Sequence, residues 1–335
     1  MDYIGSNEIK LPVNQKPWIQ CYRIHAYMLN IIGLKYPTFY DYVISNYLCL
    51  HNGKDNIRRE YLDFHLDNNF INIRDLFRDN SWFDVVQVYD FDSDHYVGKD
   101  EVKNLIISFL QKGYYVLHNV NEGFLRHSSM YGVISNNIAL TYGYNSETDT
   151  FQILDYNSRG AFGASMVSCE DYLKALSGVT VTNRINFIKA KDNLEFHFEE
   201  KKALKLLRCH IKSESAYPDH KDYINNIVGY SGVERTLKES LTNGINLIRI
   251  RVLQEHKDMI ARYFKYIYDN KYIDTDIYYT EYMPIARNMH AIFMKLIKKS
   301  LLNDQNCRQE IDAIRRLNEN EAELLERYLN EFAMF

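Results

Sequence analysis

The stretch 113–163, GYYVLHNVNEGFLRHSSMYGVISNNIALTYGYNSETDTFQILDYNSRGAFG, constrains the fold more than any other part of the chain. It holds three apolar, β-rich runs at 114–120, 138–142 and 150–154, separated by Gly, Asn, Ser and Asp. Turns need those residue types. The last two runs are joined by 143–149, GYNSETD, which predicts a hairpin. Asp155 follows the second strand directly.

Helical signals surround this sheet region. The run 21–33 places Ile24, Met28, Leu29 and Ile32 at helical spacing, with Gly33 as the stop. Pro17 fixes the backbone shortly before it. A second helix is predicted over 37–51, a polar mixed region over 52–80 with a helix near 71–78, a strand over 85–91 and a helix over 100–112. Ser168 with Asp171 three residues on makes a capping-box-like start to a short helix. The segments 183–190 and 193–198 alternate like a closing strand pair. Beyond 199 the strand signals stop and helices are predicted over 199–213, 232–242, 245–270, 278–302 and 306–333. This reads as an α+β domain over 1–198 followed by an all-helical domain over 199–335. The helical half is a lid, a docking surface or a homodimer interface.

Composition excludes several classes. A net charge of −4 gives no reason to expect nucleic acid or an acidic membrane as partner. No run of apolar residues is long enough to span a bilayer, and the N-terminus has no basic-then-apolar signal segment. The five cysteines (21, 49, 169, 209 and 307) are scattered, and none pairs with Cys or His at zinc spacing. No metal, cofactor or disulfide is expected, and a reducing cytoplasm is the simplest placement. Asp90, Asp92, Asp94 and Glu101 fall at positions 1, 3, 5 and 12 of an EF-hand loop, but His95 stands where the sharp turn needs Gly. A solvated turn capping the next helix fits better. Glu255-His256-Lys257 lacks the HExxH spacing of a zinc peptidase and reads as a solvated face or an interdomain contact.

Cys21 stands in the first turn of the predicted helix, where free amides and the helix dipole favour a thiolate. A thiol acyl-transfer site also needs an imidazole base, a group to orient it and an oxyanion donor. Gln15 and Gln20 lie close enough in sequence to supply that donor. The base is open between His127, on the loop after 114–120, and His25, one helical turn after Cys21; His118 and His127 equally read as surface or hydrogen-bonded loop histidines. Asp155 either orients the base or serves the turn that follows it. Cys21 is equally a small core residue.

A Gln before a Cys that opens a helix, then GYYV, then a strand–GY–strand–Asp hairpin and the capped helix SCEDYLKAL resembles the papain-like, butirosin-biosynthesis-H N-terminal-like family, over about residues 10–190. It is also similar to the bacteriocin-processing cysteine peptidase domain. The resemblance implies a papain-like cysteine-protease fold and cytoplasmic antibiotic biosynthesis, including nonribosomal peptide assembly. It implies transfer of an acyl or peptidyl group from a carrier-protein thioester to an amine or peptide acceptor. By position it makes Cys21 the nucleophile and Asp155 the orienting acid. It also places the catalytic His six residues before the GY pair, where this chain has Asn137. An amide cannot take a proton at neutral pH. Either another imidazole acts, His127 first and His25 second, or the domain is an inactive pseudoenzyme that binds a peptide, acyl chain or carrier protein.

Overall fold

The computed structural model describes residues 7–54, 60–66, 80–89, 99–180, 184–220, 225–304 and 306–332. The chain is mixed α/β, with an antiparallel sheet and several C-terminal helices. It divides into two compact units: Met1–Pro37 with Asn69–Leu194, and Thr38–Asn68 with Glu195–Phe335. The break near 195 falls close to the one read from the sequence at 198. The segment 38–68, which the sequence pattern assigns to the first domain, packs instead with the C-terminal half.

The first unit is built on a seven-stranded antiparallel sheet in the order β4 (Phe83–Tyr89), β9 (Arg184–Ala190), β5 (Tyr115–Asn121), β6 (Asn136–Asn145), β7 (Thr150–Tyr156), β8 (Phe162–Ser168). The strand β1 (Glu8–Lys10) pairs with the far half of β6. The predicted hairpin is present, β6 with β7, but its strands reach further than the apolar runs. Asn145 pairs with Thr150, so Gly143 and Tyr144 lie in the strand and only 146–149 turn. The register shifts between Thr141 and Gly143, where β6 passes from pairing with β5 to pairing with β1. A Cβ on Gly143 would meet the Ile9 carbonyl at 2.7 Å, so that close approach needs glycine. Asp155 sits inside β7, opposite Gly163 of a strand, β8, that the sequence pattern did not predict.

The first helix, α1 (Arg23–Lys35), begins two residues later than its apolar spacing predicts and runs through Gly33. Residues 24–33 are all buried, His25 and Asn30 among them, so the helix is enclosed on every side within its unit. It ends because Tyr36 precedes Pro37 and takes an extended backbone. The next helix of this unit, α3 (Lys99–Gln111), matches its prediction. So does α4 (Cys169–Ser177): Ser168 Oγ accepts from the Asp171 amide at 3.1 Å, and Tyr172 stacks on Phe151 of β7. The predicted strand 193–198 does not form; only β9 does. The EF-hand-like acids 90, 92 and 94, with His95, and the predicted helix 71–78 lie outside the described residues.

The second unit contains helices α2 (Phe39–Asn46), α5 (Glu200–Lys212), α6 (Gly229–Asn243), α7 (Leu247–Asp269), α8 (Ile277–Leu301) and α9 (Arg308–Phe332). It is not all-helical: a three-stranded antiparallel sheet runs β10 (Ile227–Val228), β2 (Leu50–Lys54), β3 (Glu60–Phe64). The predicted helix 37–51 stops at Asn46 because its last residues enter β2. No described helix is long and apolar enough to cross a membrane. The reading of 255–257 as a solvated face is corrected: His256 and Lys257 are fully buried and Glu255 nearly so, whereas Ile248, assigned by spacing to the apolar face, is half exposed. Lys257 and Glu321 form an ion pair with neither side chain exposed, and the Tyr282 and Tyr230 hydroxyls donate to the same carboxylate. Burial costs both charges solvation, so the pair depends on those donors.

Candidate active site of the first unit

Arg23, the first residue of α1, bridges two buried carboxylates. Its Nε donates to Asp155 Oδ1, and its Nη2 donates to Glu122 Oε1 at 2.5 Å. The planar fork suits this double grip, which an ammonium could not reproduce. Asp155 comes from the hairpin, and Glu122 opens a single 3-10 turn, Glu122–Phe124, directly after β5. That turn is held by Asn121, whose Oδ1 accepts from the Gly123 and Ser135 amides. The Glu122 amide donates to the Ser135 carbonyl at 2.7 Å, closing the loop that carries His127 at its neck.

The second oxygen of Glu122 accepts from Asn137 Nδ2 and from Ser135 Oγ, both at 3.3 Å. Asn137 thus holds an acid rather than a thiol. The Tyr156 ring lies 5.1 Å from the Arg23 guanidinium. Tyr27, one turn along α1, donates to the Ile138 carbonyl at 3.1 Å, and burial near Asp155 raises its phenol well above its ordinary value.

The electrostatics follow from burial. Asp155 is pushed up to about 6, first by desolvation, which the Arg23 charge and hydrogen bond oppose. Burial works against the Arg23 charge, but Asp155 and Glu122 raise it overall. His127 is lowered, first by desolvation; Glu122 raises it and Arg23 lowers it, which places the ring in the field of this cluster. Asp155 Oδ2 and His127 Nε2 are buried without a hydrogen-bond partner among the described residues.

Cys21 is buried and lies two residues before Arg23, ahead of the N-cap Tyr22 rather than inside the first turn. Gln15 is exposed, and its Oε1 lies 3.6 Å from where a Cβ on Gly163 would stand, opposite Asp155 in the sheet. Gln20 donates to the Pro17 carbonyl. His25 is buried within α1, edge-on to Tyr22. His118 belongs to the core: its Nδ1 donates to the Asn119 carbonyl, and its Nε2 accepts from Tyr172 at 2.6 Å beside Thr141. The other four cysteines are buried and free.

The structure therefore gathers Asp155, Asn137 and His127 around Arg23 and Glu122, two residues that no sequence motif marks. Arg23 carried one usable signal, a charge at the start of an otherwise apolar helix. Glu122 carried another, an acid ending an apolar strand just before a glycine turn. The sequence matches no family model and no curated protein.

Proposed function

We propose that the first unit is a papain-like binding module. It holds a peptide, or an acyl or peptidyl group borne by a carrier protein, without reacting with it. One observation carries this reading. Both hairpin positions that would equip a thiol enzyme are engaged elsewhere: Asp155 by Arg23, and Asn137 by Glu122. Two carboxylates against one guanidinium leave the site net acidic. The unpartnered Asp155 Oδ2 favours a ligand that donates hydrogen bonds, so an amine-bearing aminoacyl or peptidyl group fits best.

A second reading rests on His127. Its Nε2 is unpartnered and burial keeps the ring neutral, as a base requires. In that reading His127 takes the Cys21 thiol proton as the sulfur attacks a carrier-protein thioester, and returns it to the carrier thiolate that leaves; an amine or peptide nitrogen then attacks the acyl-enzyme, its proton passing through His127 to the departing Cys21 sulfur. Thiol labelling separates the two. The binding module predicts slow, similar alkylation of all five cysteines by iodoacetamide and reversible binding of an aminoacyl-pantetheine thioester. Rapid, selective labelling of Cys21 at neutral pH, abolished in Cys21→Ser, overturns it in favour of the transferase. Asp155→Asn is expected to weaken thioester binding about tenfold through loss of the charged acceptor.

A further inference from the structure

The second unit holds a cluster that the binding reading does not use. His210 of α5, His256 of α7 and Glu321 of α9 are all fully buried. One ligand atom from each lies within 4.8 Å of the other two. The imidazole rings stand 4.4 Å apart, centroid to centroid. His210 Nε2 and His256 Nδ1 are buried with no hydrogen-bond partner among the described residues. A buried polar atom left unpaired is destabilising, and two side by side call for a common partner.

We propose that His210, His256 and Glu321 bind a divalent transition-metal ion of the zinc class. Two imidazoles and one carboxylate are a donor set that such ions accept. The outer contact of His256 suits it. His256 Nε2 donates to the Leu48 carbonyl at 3.2 Å, which fixes its tautomer and leaves Nδ1 with a lone pair. His210 Nδ1 accepts from the Leu50 amide at 3.4 Å. Coordination through Nε2 moves the His210 proton to Nδ1 and gives up that long contact, so no proton is lost. Donors around a tetrahedral zinc stand about 3.3 Å apart, so the three side chains close in by roughly 1 Å on binding. Four different segments (Leu48 and Leu50, α5, α7 and α9) meet at the ion, which would tie the unit together.

Lys257 fits as the cation of the metal-free protein. Its ammonium pairs with Glu321, and Tyr230 and Tyr282 donate to the same carboxylate. Entry of the metal makes Glu321 exchange one cation for two: the ion takes Oε1, where Tyr282 donates, while Lys257 Nζ and Tyr230 keep Oε2, so the buried ammonium retains its counter-charge.

The test uses the full chain, stripped with a chelator and titrated with zinc and with cobalt(II). The proposal expects one ion per chain, visible d–d bands of low-symmetry cobalt, and a higher Tm with metal. His210→Gln and His256→Gln keep hydrogen-bonding side chains and are each expected to lose at least about 100-fold in affinity. Lys257→Met, which removes the competing cation, is expected to bind tighter by about tenfold. Absence of binding by the native chain, or binding unchanged in both histidine variants, overturns the site. Binding no tighter in Lys257→Met overturns the exchange. If the histidine variants do not fold, the imidazole 15N shifts of the native protein decide: metal-induced shifts at His210 and His256 support the site, and their absence overturns it. The outcome is independent of thiol labelling in the first unit.

Discussion

The Arg23 and Lys257 clusters are two solutions to one problem, a cation kept among acids inside a protein. Arg23 spreads its charge over two carboxylates, one from a 3-10 turn and one from β7, and stays 16% exposed. Lys257 gives its charge to a single carboxylate and is fully buried, with two tyrosine hydroxyls completing the shell. The planar guanidinium allows the double grip, and the compact ammonium does not. The first cluster is net acidic and leaves a carboxylate oxygen unsatisfied; the second is neutral and leaves only imidazole nitrogens unsatisfied. The first is therefore suited to a ligand that donates hydrogen bonds, and the second to one that accepts lone pairs.

The comparison breaks most sharply on removal of one partner. Glu321→Gln leaves Lys257 buried without a counter-charge and is expected to cost about 3–5 kcal/mol. The double change Lys257→Met with Glu321→Leu is expected to recover most of it. Urea denaturation of the three proteins checks this; equal losses in single and double variants would show that packing, not charge, dominates there. Arg23→Lys keeps the charge but gives up the fork, so one of its two carboxylates loses its partner. Being closer to solvent, it is expected to cost less, about 1–3 kcal/mol. A loss as large as that of Glu321→Gln would mean that exposure does not soften the first cluster.

The first unit also carries two opposed pH dependences. Folded Asp155 holds its proton up to about 6, above the unfolded carboxylate. Its stabilising contribution is full below the unfolded value, about 4, and is lost as pH rises through 6. His118, lowered to about 4 by desolvation, does the reverse. The unfolded imidazole charges first, so stability falls as pH drops from about 6.5 toward 4. The slopes oppose each other between pH 4 and 6. Asp155→Asn removes the first, so the unfolding free energy of that variant, read from urea titrations, is expected to rise more steeply with pH across this window, by up to about 3 kcal/mol in total. A profile parallel to that of the unaltered chain would mean that Arg23 holds Asp155 ionised throughout.

How far the sequence carried varies by residue. The hairpin was legible because Gly, Asn, Ser and Asp break three apolar runs, and α4 because Ser168 caps it in the structure as its spacing predicts. The C-terminal helices were legible from their periodicity. Strand β8, FGASMVS, was not, because only Phe162 and Val167 are buried and no apolar alternation marks it. Strands β2 and β3 were hidden because His51, Asn52 and Asp63 are polar residues that the fold buries. The same blindness concealed both clusters. Lys257 is polar in a sequence reading, yet it shares a helical stripe with Leu253, Ile260 and Phe264, at spacings of four, three and seven, all buried. Glu122 and Asp155 stand 99 and 132 residues from Arg23 in the sequence, and the packing of α1 on the sheet brings the three together.

The smallest expected effect tests the position at which this chain departs from the family it resembles. Asn137 donates one long bond to Glu122, and Ser135 donates another of the same length. Asn137→Ala removes one of two equivalent donors from a carboxylate that Arg23 still holds, so it is expected to cost only about 0.5–1.5 kcal/mol. The variant is also expected to leave Cys21 as slow to alkylate as before, because the amide serves Glu122 and not the thiol. Faster labelling of Cys21 in Asn137→Ala would show that the amide restrains the thiol, and would return the first cluster to the thiol chemistry that its hairpin resembles.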